Sequence, residues 1–196
     1  MLRVLSVATT ISVFIAGFLF FQNSHQGKQA TKIEPIASFS LTNHLGEAFD
    51  SKELKGQLWV THFMFTTCQG PCPLMTKKIT SLHQELESTS PFHLVSMTMN
   101  PEQDDETALQ EYASRFGGDT NWSLVYGPIE DIISIARQVF RVPADKDPNL
   151  HSTLFVLIDH EQKIRGYYDS QDPERMNKLK QDIQEISLEK EVSSLS

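Results

Sequence analysis

The stretch Leu58-Trp59-Val60-Thr61-His62-Phe63-Met64-Phe65-Thr66-Thr67-Cys68-Gln69-Gly70-Pro71-Cys72-Pro73-Leu74 decides the fold. Its first eight residues are a dense apolar run, β-branched and aromatic, of the kind a sheet buries on both faces. After Pro73, Leu74, Ile79, Leu82 and Leu86 recur at helical spacing. The only two cysteines of the chain, Cys68 and Cys72, lie in the loop between that strand and that helix. Pro73 suits the first helical position, which makes Cys72 the expected helix cap and leaves Cys68 in the loop before it. Pro71 and Pro73 stiffen the loop, while Gly70 permits a tight backbone. A thiol at a helix amino terminus faces unpaired N–H groups and the positive end of the dipole. The expected outcome is a partly exposed, easily deprotonated dithiol.

Working outward, the chain alternates strands with helices and contains no internal repeat. Ile36 to Leu41 and Ala48 to Phe49, around Asn43-His44-Leu45-Gly46, read as a small hairpin. A second buried strand is expected over Phe92 to Met99, stopped by Asn100-Pro101. Leu109, Tyr112, Ala113 and Phe116 mark a helix ended by Gly117-Gly118. Trp122 to Tyr126 predicts a strand, Ile129 to Phe140 a helix, and Thr153 to Ile158 with Ile164 to Tyr168 a hairpin. Met176, Leu179, Ile183 and Ile186 predict a terminal helix, with a polar, frayed tail beyond it. This order implies an α/β fold: a mixed, partly parallel sheet flanked by helices. Reactive groups in such sheets gather at the carboxyl ends of strands, and both cysteines fall there. A strand, a two-cysteine loop and a helix in succession make the arrangement thioredoxin-like, of the redoxin type.

The first residues set the expected compartment. Val4 to Phe21 is apolar apart from Ser, Thr and Gly, follows Arg3, and is long enough to span a bilayer. No small-residue cleavage pattern follows Phe21, and no cysteine lies there to accept a lipid. The reading is an uncleaved signal anchor over residues 1–22, a linker over 23–32, one domain over 33–187 and a polar tail over 188–196. The charge at Arg3 places the start in the cytoplasm and the domain outside, on the periplasmic face of a bacterial inner membrane. A net charge of −8 leaves no basic face for nucleic acid.

Two sulfurs at this spacing can close a small disulfide or hold a thiophilic metal. A purely structural disulfide is the plain alternative in an oxidising compartment, but so short a loop constrains the unfolded chain little. The residues alone leave redox and metal chemistry both open.

A resemblance narrows the choice. The anchor, Thr67-Cys68-x-x-x-Cys72-Pro73 after an aromatic-rich strand, Met97-Thr98-Met99-Asn100-Pro101-Glu102 after the next strand, and His151 ahead of Leu154-Phe155-Val156-Leu157-Ile158-Asp159 together resemble the Sco/SenC family. The likeness runs from about Ile33 to Ile186. Proteins of that family are thioredoxin-fold copper proteins that help assemble the dinuclear copper centre of cytochrome c oxidase. The resemblance implies Cys68 and Cys72 as sulfur ligands and His151 as the nitrogen ligand. Such a set suits Cu(I) or Cu(II), with soft sulfurs favouring Cu(I). It implies as partners the oxidase subunit bearing the dinuclear centre, and beside it other copper chaperones or thiol reductants. Gln69, Asn100, Gln103 and Leu150 depart from the residues usual in the family, at positions that orient ligands rather than supply them.

Other residues have plainer readings. His62 is expected to be packed or hydrogen-bonded within its strand, and Met97 and Met99 to belong to the core. His25, His44, His83, His93 and His160 fall in the linker, in turns or on surface positions and receive no role. Glu102, Asp104, Asp105 and Glu106 complement a helix start. Two functions follow. One is a metallochaperone without turnover chemistry, passing copper to the oxidase by ligand exchange. The other is a thiol-disulfide oxidoreductase whose redox-active pair, Cys68 and Cys72, acts on the cysteines of an oxidase subunit or another target. A peroxidase reading lacks a dedicated motif.

Overall fold

The computed structural model describes residues 34–118, 121–148 and 152–194. The predicted anchor, the linker and His151 lie outside the described residues. Among the described residues no helix is long and apolar enough to cross a membrane.

The described elements are β1 (Ser40–Asn43), β2 (Ala48–Asp50), a 3-10 turn (Ser51–Leu54), β3 (Trp59–Met64), α1 (Cys72–Leu86), β4 (His93–Thr98), α2 (Glu106–Arg115) and β5 (Trp122–Tyr126). They continue with α3 (Ile129–Ser134), a π turn (Ile135–Val139), β6 (Leu154–Ile158), β7 (Ile164–Asp169) and α4 (Pro173–Ser194). The strands form one sheet in the order β2-β1-β5-β4-β3-β6-β7. β3, β4 and β5 are parallel neighbours, whereas β6 and β7 join the other side of β3 as antiparallel strands. β1 pairs antiparallel with β5 and closes the small hairpin with β2. The expected mixed α/β sheet is therefore present.

Every residue of β3 is buried, because the strand is hydrogen-bonded on both sides and covered on both faces. Its alternation feeds two cores. Val60 and Met64 point into one, with Phe155, Leu157, Ile79, Tyr112 and Ile183. Trp59 and Phe63 point into the other, where Phe140 meets both rings edge-on. Met97 and Met99 lie in this second core, as their alternation with Val95 implies. Thus α1, α2 and α4 cover one face, while α3 and the segment that follows it to Ala144 cover the other.

Three expectations need correcting. His83 is not at the surface: it is buried in α1, with Nε2 2.8 Å from the Phe92 carbonyl oxygen and its ring edge-on to Phe92. The helix expected to run regularly to Phe140 widens into the π turn at Ile135 and ends before Arg141, whose φ of 56° turns the chain away. The terminal helix does not fray after Ser187. It continues to Ser194, where tertiary contacts replace the lost apolar period: Arg165 bridges to Glu189, and Lys190 Nζ donates to the Gly56 carbonyl.

Candidate functional site

β3 delivers the chain to the site. Its parallel ladder with β4 is prolonged by Met99 N–H donating to the Met64 carbonyl, after which the backbone turns. Cys68 N–H donates to Phe65 O at 3.3 Å, closing that turn, and Met75 N–H donates to Pro71 O at 2.9 Å, opening α1. The helix begins one residue earlier than the proline pattern implies. Pro71 is the cap, with φ −73° and ψ −25°, and Cys72 is the first helical residue. Both prolines are tolerated because the first turn of a helix has no intrahelical partner for the N–H they lack.

The two cysteines are unbridged, and a side-chain hydrogen bond links Cys72 to Cys68. Cys68 is half-buried and packs against the edge of the first core. Cys72 is fully buried. Burial, with the hydrogen bond to Cys68 second, pushes the Cys72 thiol up from 9.0 to about 12. The expectation of an easily deprotonated, partly exposed pair therefore fails at Cys72. The helix terminus offers its positive end, but removal of the thiolate from water outweighs it. Only Cys68 presents sulfur towards the solvent side.

Two residues read from the sequence only as parts of a helix lie around the cysteine loop: Tyr112 near Cys72, and Asp104 bonded to Thr66. Tyr112 of α2, which marked only a helix in the sequence, is 1% exposed, and its hydroxyl lies 2.8 Å from the hydroxyl of Thr76, one turn beyond Cys72. Burial raises its phenol from 10.0 to about 12, and the Arg115 guanidinium sits 5.1 Å from its ring centre. Asp104 was grouped with the acids of a helix start. Asp105 does cap α2, accepting from Ala108 N–H, but Asp104 turns inward and accepts from Thr66 and Thr98. Nothing in the run Glu102-Gln103-Asp104-Asp105-Glu106 distinguishes the inward one. His62 is fully buried, edge-on to Phe155 and 3.5 Å from Ser96 Oγ, so it is a packed residue as expected.

Among the described residues no group of three or more His, Cys, Asp or Glu side chains could hold a metal ion. His151, the implied third ligand, lies outside them. The described residues on either side of it are informative about the sheet. β6 runs antiparallel to β3, with Trp59 opposite Ile158 and Thr61 opposite Val156. The first residue of β6, Leu154, therefore lies at the carboxyl end of β3, where the cysteine loop starts.

Comparison with known proteins agrees with this architecture. The family profile described as SCO1/SenC matches residues 27–187. A SCO1/SenC family lipoprotein from Bacillus anthracis is 30% identical, superposes with a TM-score of 0.73, and is matched over 81% of this chain and 98% of its own. BsSco, described as a Sco family member among cytochrome c oxidase assembly proteins and as having a disulfide switch, is 24% identical with a TM-score of 0.71, over 80% and 95% of the two chains. Arabidopsis thaliana ScoI, solved with copper bound, is 24% identical with a TM-score of 0.64, over 76% and 98%. At 24% identity the likeness establishes the fold. The extent of the profile match and the 30% identical relative establish more: this chain belongs to the SCO1/SenC family.

Proposed function

We propose that this protein binds copper through Cys68, Cys72 and His151 and delivers it to the dinuclear copper centre of cytochrome c oxidase during assembly. Copper is cargo here, so the protein must bind it and also release it. The observation that carries the reading is the pair of hydrogen-bonded, unbridged cysteines at the start of α1. Two sulfurs so placed fit a soft cation such as Cu(I). The register of β3 with β6 supports His151 as the third ligand, because Leu154, three residues on in the chain, lies at the end of the sheet that carries the cysteine loop. A chain advances up to about 3.3–3.6 Å per residue, so three residues are a short reach. The copper-bound Arabidopsis relative and the oxidase-assembly description of BsSco support the same reading.

The protein's own groups determine uptake and release. Binding as a dithiolate requires the Cys72 proton to leave a buried site, so metal displaces a tightly held proton. Cys68, the half-buried sulfur, is the one an acceptor's ligand reaches first. Exchange therefore begins at Cys68 and ends at Cys72. In the same proposal, residues 1–22 anchor the chain in the inner membrane, 23–32 form a tether, and the domain over 33–187 works on the periplasmic side. The Bacillus anthracis relative is a lipoprotein. In this chain the apolar run Val4 to Phe21 is long enough to serve as the attachment.

A second reading, thiol-disulfide exchange on the cysteines of an oxidase subunit, is favoured by the same thiol contact and by the disulfide switch described for BsSco. Copper titration of the reduced protein separates the two. His151→Ala is expected to lose copper affinity by at least about tenfold while retaining disulfide exchange, and Cys68→Ser with Cys72→Ser to lose both. Equal copper affinity in wild type and His151→Ala would remove the imidazole from the site and leave the exchange reading.

A further inference from the structure

Asp104 is fully buried and makes no ion pair among the described residues. Both carboxylate oxygens are engaged. Oδ2 accepts from the Thr66 backbone N–H at 3.0 Å and from the Thr98 hydroxyl, and Oδ1 accepts from the Thr66 hydroxyl at 2.5 Å. Two of these three bonds hold one residue, Thr66, which lies two positions before Cys68. The contact falls where the β3–β4 ladder has just ended at the Met99–Met64 bond. A side-chain carboxylate there takes the place of a strand partner. It also holds Thr66 through two donors at once, one on each carboxylate oxygen.

The turn that carries Asp104 is itself closed, since Gln103 N–H and Asp104 N–H both donate to the Asn100 carbonyl at 3.0 and 2.9 Å. Thr98 fixes that turn from the strand side, because its hydroxyl oxygen also receives Asn100 N–H at 3.0 Å. The segment with the first sulfur is thus tied at Thr66 by Asp104 and at Pro71 by the opening of α1. A buried carboxylate carries a desolvation cost that a fold offsets with hydrogen bonds. Here most of those bonds are spent on the threshold of the cysteine loop.

We propose that Asp104 is the positioning residue of the dithiol: by clamping Thr66 through both its amide and its hydroxyl, it sets how closely Cys68 is presented to Cys72. The inference rests on the reading that these sulfurs are the working groups, and extends it to a residue outside the loop. Closing the pair and chelating a metal both need the sulfurs held together, so the clamp raises the effective concentration of one at the other. Releasing it leaves both thiols intact but lowers the tendency to close.

The test is the equilibrium of the full-length protein with glutathione. One oxidised glutathione accepts two electrons from the dithiol; its S–S bond breaks as the Cys68–Cys72 bond forms, and the two thiol protons end on two reduced glutathiones. Asp104→Asn puts an N–H group where the Thr66 donors point. It is expected to lower the equilibrium constant for closure about tenfold, a potential about 30 mV less negative. Thr66→Val removes the hydroxyl bond and keeps the amide bond, so it should move the constant in the same direction by less. Thr98→Val destabilises the turn yet keeps both Thr66 bonds, and should leave the constant within about twofold of wild type. That contrast is what a merely structural role would not produce.

If Asp104→Asn does not fold, the comparison of Thr66→Val with Thr98→Val decides alone. Asp104→Asn and Thr66→Val both within about twofold of wild type, or Thr98→Val shifted as far as they are, would overturn the positioning role. A wild-type protein that forms no Cys68–Cys72 disulfide at any glutathione ratio would instead overturn the dithiol reading itself.

Discussion

Cys68 and Cys72 meet thiol to thiol, yet one reaches the edge of the core and the other lies wholly inside it. The asymmetry follows from position. Cys72 is the first residue of a helix whose inward face packs against β3, while Cys68 belongs to the turn that leads the chain there. An exposed sulfur can be attacked or exchanged, and a buried one can only follow its neighbour.

Alkylation should therefore be sequential. With iodoacetamide at neutral pH, the reduced native protein is expected to react at Cys68 roughly tenfold or more faster than at Cys72, and denaturation should erase the difference. Peptide mapping after timed quenching reads both rates. Equal native rates would mean that Cys72 is not shielded.

Stability under reducing conditions should decline in alkali. The native protein holds the Cys72 proton more tightly than an unfolded chain, with the thiol raised from 9.0 to about 12. That contribution is complete below pH 9 and is lost as pH rises through about 12. Tyr112, raised from 10.0 to about 12, adds to the decline in the same direction. Urea unfolding across this range should show a shallower fall for Cys72→Ala than for wild type.

Tyr112→Phe removes a buried hydroxyl and leaves the Thr76 hydroxyl without that partner. The expected cost is about 1–3 kcal/mol of unfolding free energy, because a buried polar group loses its bond without regaining water. Adding Thr76→Val should recover part of it, which a double-mutant cycle measures.

Phe63→Ala tests the second core. The ring is 1% exposed and packs edge-on against Phe140, so its loss should cost about 3–5 kcal/mol. Copper binding at temperatures where the variant stays folded should change little, since Phe63 points away from the core that holds Cys72.

The legible parts of this fold share one trait: they follow from an average property of many residues. The run Leu58 to Phe65 could only be a doubly covered strand, and helical spacing after Pro73 put the cysteines at its carboxyl end. What escaped the sequence depends on the direction of single side chains. Asp104 and Asp105 are adjacent and chemically identical, but one enters the core and the other caps α2, a choice made by the turn over Asn100 to Asp104. His83 reads as a polar interruption of a helix face, yet a carbonyl at Phe92 brings it inside. The depth of Cys72 was hidden for a related reason. A helix terminus predicts a stabilised thiolate, and only the packing around it reveals that the sulfur is shut away from solvent.

The burial of β3 along its whole length also ranks the motions of the molecule. Amide protons on a strand flanked by ladders on both sides exchange only through the largest openings, whereas the short outer strand β2 can part from β1 without disturbing the centre. The cysteine loop springs from one of these doubly flanked strands. A partner that pries at the periphery therefore leaves the cysteine loop assembled, and the edges of the domain are free to drift in sequence without moving it.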